Sequence, residues 1–143
     1  TQSPSSAASD VYKRQHNSHY YNVVGINNVF LGKYKSLDGK VVSGPSISSL
    51  LSEVDNGLNK KTKKSIKNTL KSMKKIVKSA NKGVTYDMLI AEGNEKGNQL
   101  IQNAVDSLIK QSKNIELTAA ALNINDLQIE GSDSLDNPNA VFN

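Results

Sequence analysis

The chain has 143 residues and a formal net charge of +5, and 36% of its residues are hydrophobic. This length suits one domain or part of one. Because the sequence contains no cysteine, it excludes a disulfide scaffold, a thiolate zinc site and a cysteine nucleophile. No segment reaches the roughly 18–20 apolar residues that a membrane-spanning helix needs. The composition therefore indicates a chain that folds around an interior of its own.

Residues 1–15 show no apolar periodicity and are rich in small polar side chains. They also lack the basic start and the apolar stretch of a secretory signal. The run Ser-Ala-Ala-Ser-Asp-Val-Tyr-Lys-Arg-Gln at its end resembles a translated adapter leader of the kind that contaminates environmental gene assemblies. We therefore interpret residues 1–15 as a spurious or disordered leader, with a natural disordered tail as the alternative, and place the folded domain at residues 16–125.

The segment 20–31 suits either a helix or strands, since its valines come in short runs. Tyr20, Val24 and Leu31 share one helical face, together with Asn27 and Tyr34, and we favour a helix. Between residues 34 and 45, the dipeptide Asp-Gly at 38–39 is a turn signal. It predicts a short hairpin or an ordered loop.

Two helices follow in close succession. Ser46 is a good N-cap for a helix over residues 47–54. The segment 58–82 then repeats its less polar residues every three or four positions, with Asp55 or Asn56 as its N-cap and Gly83 as its C-cap. The predicted inward stripe of this second helix comprises Leu58, Thr62, Ile66, Thr69, Leu70, Met73, Val77 and Ala80. This spacing predicts a helix of roughly 37 Å.

A second long helix is predicted over residues 94–122, after a short turn that Thr85 can cap. Its predicted stripe comprises Leu100, Ile101, Ala104, Val105, Leu108, Ile109, Ile115, Ala119 and Leu122. Two long helices joined by about a dozen residues run antiparallel, and the shorter helices cover their apolar faces. We therefore predict an all-α antiparallel bundle. Residues 126–143 carry four acidic and no basic side chains, which is typical of a loosely ordered tail.

The strongest electrostatic feature is a run of lysines on the helix predicted at 58–82. Ten lysines from Lys60 to Lys82 occur there without an acidic residue. Such a surface can bind nucleic acid or an anionic membrane. The segment has no arginine and no aromatic side chain for base stacking, so we favour a solvated outer face and expect no nucleic acid partner.

Residues that could carry catalysis or bind a metal are few. His16 and His19 share a helix face, but no Asp, Glu or Cys lies within six residues downstream of them, so we predict no metal site. Asp87, Glu92 and Glu95 cluster between the long helices, where caps and turns commonly place such side chains. Nucleophile-elbow, phosphate-loop and zinc-protease motifs are all missing, so no catalytic residue is predicted.

Residues 28–34, Asn-Val-Phe-Leu-Gly-Lys-Tyr, carry a more specific signal. Together with Ser-Ile-Ser-Ser-Leu-Leu at 46–51 and the ordered helices that follow, this block resembles the carboxy-terminal half of imelysin-like proteins (peptidase M75). The family's Asn-Val-Tyr-x-Gly-x-Tyr stretch has Phe30 in place of its first tyrosine here. The resemblance covers about residues 20–125.

This resemblance implies a bacterial periplasmic or envelope protein, often a lipoprotein, built from two helical-bundle halves and associated with iron or haem uptake. The family is named for a metallopeptidase, but its Gly-x-His-x-x-Glu motif belongs to the amino-terminal half and has no match here. Whether the protein is an enzyme stays open. We expect no cofactor in this chain, iron or haem as the full-length ligand, the amino-terminal half as partner, and membrane contact only through an upstream lipid anchor.

Three residues are nominated for a pocket where the two halves meet: Asn28, Gly32 and Tyr34. Each also has a structural interpretation. Gly32 permits a turn at a helix end, Asn28 caps locally, and Tyr34 packs. These structural roles are the interpretation that we favour.

Overall fold

A computed structural model describes residues 4–124 of the chain, with side chains from Arg14 onward. The acidic tail predicted at 126–143 lies outside these residues. In chain order the elements are α1 (Pro4–Leu31), β1 (Lys33–Lys35), β2 (Val41–Ser43), α2 (Ile47–Val54), α3 (Asn56–Ala80), α4 (Tyr86–Leu89) and α5 (Glu95–Ala121). The prediction of an all-α bundle is confirmed. No helix in this part of the chain combines the length and apolarity needed to cross a bilayer.

Helix α3 is the centre of the bundle, because α1, α2 and α5 all pack against it. Its apolar side chains contribute to two interior clusters. In one, Met73 and Ile76 meet Val23 of α1 and Ala104 of α5, with Ile101 packed alongside. The other cluster is formed by Phe30 of α1, Leu51 of α2 and Ile66 of α3. The shared interior predicted for Met73 and Ile101 is confirmed.

Small polar side chains join α3 to α5. Thr62 Oγ1 lies 3.2 Å from Thr118 Oγ1, Thr69 Oγ1 donates to the Ser107 carbonyl at 3.1 Å, and Ser72 Oγ lies 3.2 Å from Ser107 Oγ. The residue numbers rise along α3 as they fall along α5, so the two helices are antiparallel, as predicted. We call these five residues the Thr/Ser seam. Their small volume lets the two backbones approach closely.

The helix boundaries follow the capping residues. Ser46 forms a capping box with Ser49 at the start of α2, and Asp55 accepts the Leu58 N–H at 2.8 Å at the start of α3. Asn94 accepts the Gly97 N–H at 2.9 Å at the start of α5. Thr85 precedes α4, but its hydroxyl donates a hydrogen bond to the Asp87 side chain and does not cap the helix backbone. The ends predicted for α3 and α5 were therefore correct to within two residues.

The hairpin predicted between residues 34 and 45 is present. Strands β1 and β2 are antiparallel, with Tyr34 opposite Val42. Its turn is stabilised by Asp38, which accepts hydrogen bonds from the Ser36 hydroxyl and the Lys40 N–H. The Ser36 hydroxyl is the main cause of a pKa of Asp38 below its usual value. All six strand residues are exposed, so the hairpin projects away from the bundle.

Three details of the sequence prediction were wrong. Helix α1 has 28 residues, so the bundle contains three long helices where two were predicted. Among the described side chains of α1, the buried hydrophobic ones are Val23 and Phe30, one position away from the predicted face. On α5, Val105 and Ile109 are exposed, because the side facing α3 is built from small and polar residues instead. Helix α1 also includes residues 4–15, whose origin as a leader stays a prediction.

Candidate functional site

The three nominated residues line one depression at the root of the hairpin. This hairpin pocket has a volume of about 340 Å³ and lies between the end of α1 and the two strands. Its walls include Asn28 of α1, Gly32 in the turn after α1, and Tyr34 of β1, together with Val29 and Val42. Tyr34 is 56% exposed, so it does not pack into the interior as its structural interpretation required. The structure thus brings the three residues together, and their role in binding stays a prediction.

Gly32 has a structural role in this place. Its φ of +58° is a left-handed conformation that glycine adopts without strain. A Cβ at this position would lie 2.6 Å from the Pro45 carbonyl oxygen and 2.7 Å from that of Gly44. The Gly44 N–H donates to the Gly32 carbonyl at 2.9 Å. Gly32 therefore permits the turn that ends α1, as its structural interpretation predicted. Its close approach to Gly44 and Pro45 also holds the two ends of the hairpin together.

A second, wholly apolar depression adjoins the hairpin pocket. Helices α1 and α5 both pack on α3, but their backbones approach each other closely at few residues, and a groove of about 370 Å³ remains between their carboxy-terminal ends. The residues lining this α1/α5 groove are Ile26, Val29, Phe30, Ile47, Ile115, Thr118, Ala119, Leu122 and Ile124. Val29 belongs to both depressions and is 67% exposed. Together they form one apolar surface at this end of the bundle.

The two histidines also lie between α1 and α5, at the end of the bundle opposite the α1/α5 groove. His16 is buried, and its Nδ1 has no partner among the described residues. His19 is exposed, and its ring lies 5.9 Å from the ring of Tyr86. Both histidines line a small cavity of about 100 Å³ with Met73. Across the part of the chain that the structure describes, no three His, Cys, Asp or Glu side chains are grouped for a metal ion.

The carboxylates between the long helices lie at the surface of the bundle. Asp87, Glu92 and Glu95 are all exposed, and Asp87 accepts a hydrogen bond from the Thr85 hydroxyl. The nine lysines of α3 are also exposed, as expected for a solvated face. The described residues therefore offer apolar concavities and a basic helix. The apolar concavities can bind a partner by burying apolar surface.

Sequence reasoning missed the groove, because it assigned each helix a single inward face. Ile26 and Val29 lie on α1 away from Val23 and Phe30, so α1 is apolar on two sides. The second apolar side of α1 was the feature of the sequence that could have predicted the groove. Ile124, just past α5, could not be assigned to the groove from periodicity.

A protein-family model matches most of the chain. The family model described as Imelysin (Peptidase_M75) matches residues 1–115 of the 143-residue chain. This match spans the hairpin pocket and most of α5. No curated protein matches the sequence.

Proposed function

Because the chain belongs to the imelysin family, we propose that it is the carboxy-terminal part of a bacterial envelope protein that serves iron or haem uptake. In this proposal the chain contributes a binding and structural surface, and the metal ligands come from an amino-terminal half. Membership of this family is compatible with an extracytoplasmic location. An upstream lipid anchor would supply the contact with the membrane.

The observation that carries the proposal is the apolar surface formed by the α1/α5 groove and the hairpin pocket. Monomeric proteins rarely leave a large contiguous apolar surface in water, and such a surface commonly marks a docking site. Val29 and Ile124 remain at least half exposed there. An amino-terminal helical half that packs into the groove would bury these side chains. It would also place its own ligands beside Asn28, Gly32 and Tyr34.

The assignment of roles is supported by the chemistry of the described side chains. The groove is lined by aliphatic and aromatic carbon with one threonine, and such groups do not ligate iron. The Gly-x-His-x-x-Glu motif, which the resemblance places in the other half, has no match in this sequence. Proteolysis by this chain alone is therefore not part of the proposal.

Calorimetric titration of this chain with ferrous, ferric and zinc ions tests the assignment of roles. We expect no tight binding of any of the three ions. Binding with a micromolar dissociation constant would overturn the proposal that the ligands lie in the other half. The upstream coding sequence provides an independent test, since the proposal requires a secretory or lipoprotein signal followed by Gly-x-His-x-x-Glu.

Once that upstream half is produced separately, complex formation with this chain tests the docking surface. The variant Val29→Asp places a charge in the groove and should abolish the complex. Val54→Asp is the matched control, because Val54 has nearly the same exposure, 63% against 67%, but lies on α2 outside the groove. Equal loss of binding in both variants would contradict the proposed surface.

A further inference from the structure

The lysines of α3 form no ion pair with a described carboxylate. Helix α3 carries nine lysines and no acidic residue. The remaining nine basic and thirteen acidic residues of the protein give a formal charge of −4. The ion pair that the structure describes, between Lys40 and Asp38, is in the hairpin, and no lysine of α3 pairs with a described carboxylate. We call these nine exposed lysines the lysine face.

This arrangement is unfavourable for the isolated helix. Five pairs of lysines inside α3 are spaced four residues apart, at positions 60/64, 63/67, 67/71, 71/75 and 74/78. Like charges at this spacing destabilise a helix, whereas a glutamate in place of one lysine would stabilise it. A solvated face needs only polar side chains, so solvation alone does not require nine charges of one sign. An anionic partner would relieve the repulsion.

The lysine face also borders a concave surface that could hold an anionic group. A polar groove of about 410 Å³ lies between α3 and α5, and Lys71, Lys75 and Lys110 reach into it from the two helices. Asp106 is the one carboxylate in its lining, and its Oδ1 accepts a hydrogen bond from Gln102 Nε2 at 2.8 Å. Asn68 and Asn103 add amide donors. Lysine ammonium and asparagine amide groups are both donors that a phosphate oxyanion can accept hydrogen bonds from.

We propose that the lysine face of α3, with the groove beside Lys71, Lys75 and Lys110, binds the phosphate headgroups of an anionic membrane surface. The lysines are distributed along about 27 Å of helix, from Lys60 to Lys78, so many of them can face one extended anionic surface at once. Each lysine near such a surface adds a similar attraction. No arginine or aromatic residue occurs on α3, and base reading and stacking normally use those side chains. The lysine face therefore favours a lipid surface over nucleic acid.

Vesicle sedimentation with the full chain tests this proposal. The chain should sediment with vesicles that contain phosphatidylglycerol, remain in solution with vesicles of phosphatidylcholine alone, and dissociate as salt rises past about 0.15 M. The variant Lys67→Gln/Lys71→Gln/Lys74→Gln/Lys78→Gln should weaken partitioning at least about tenfold, since it removes four charges from the centre of the face. Circular dichroism should show that helicity is kept.

The control variant removes the same number of charges elsewhere. Lys33→Gln/Lys35→Gln/Lys96→Gln/Lys113→Gln has the same net charge, but its four exposed lysines lie on the hairpin and α5. It should partition within about threefold of the unmodified chain. Equal weakening by both variants would show an effect of net charge alone and overturn the proposal. So would equal binding to neutral vesicles, or tighter binding to a DNA duplex in a mobility-shift assay than to the anionic vesicles.

Discussion

Gln111 provides a quantitative test of how α3 and α5 pack. It lies on α5 one turn after Ser107 and two turns before Thr118, both of which bond to α3 in the Thr/Ser seam. Only 2% of its surface is exposed. No hydrogen-bond donor among the described residues reaches its Oε1. The side chain therefore places an unpaired amide oxygen in the helix interface.

Replacing Gln111 with methionine removes this unpaired oxygen and nearly conserves the volume. A buried polar atom without a partner costs about 1–3 kcal/mol of folding free energy. Volume-conserving core substitutions usually add less than about 1.5 kcal/mol of packing strain. We expect Gln111→Met to raise the free energy of unfolding by about 1–2 kcal/mol. For a chain of this size that corresponds to an increase in Tm of roughly 3–8 °C.

Urea denaturation followed by circular dichroism measures the change, with thermal melting as a second readout. Gln99→Met is the matched control, because Gln99 is exposed on the same helix and should change stability by less than about 0.5 kcal/mol. If Gln111→Met lowers the stability while the control does not, the Gln111 amide must be paired in solution. The packing deduced for the α3–α5 interface would then be wrong.

Three further changes have defined outcomes. Gly32→Ala should destabilise the fold by more than about 1–2 kcal/mol in urea melts, because a left-handed φ is combined with a backbone clash. An unchanged free energy of unfolding would refute the close approach at the hairpin root. Leu51→Ala, at a side chain with 0% exposure, should cost about 2–5 kcal/mol, whereas the fully exposed Leu37→Ala should cost less than about 0.5. As pH falls through the lowered pKa of Asp38, its carboxylate protonates and the bond from Ser36 to the charged form is lost. Hairpin amide shifts in NMR should therefore change below the ordinary Asp pKa and stay constant above it, and an Asp38→Asn variant should show no such change.

The candidate site could be predicted in part from the residues themselves. Asn28, Gly32 and Tyr34 are close in the chain and flank a helix end, so their shared pocket followed from local structure. Exposure was harder to predict. Leu70 and Leu108 were expected in the interior and are only partly buried, because the Thr/Ser seam occupies the centre of the α3–α5 contact. Truncating either leucine should accordingly cost less than truncating Leu51.

The sequence by itself determined the local features of this protein. Helix periodicity, the capping side chains of Ser46 and Asp55, and the turn at residues 38–39 act within a few residues, so their outcome does not depend on distant parts of the chain. Only the tertiary structure decided which sides of the helices stay uncovered. Because α1 and α5 both pack on α3 and their backbones approach each other closely at few residues, Val29 in the groove between them remains exposed although its apolar character suits an interior. Burial depends on which helices become neighbours, and periodicity along one helix does not contain that information.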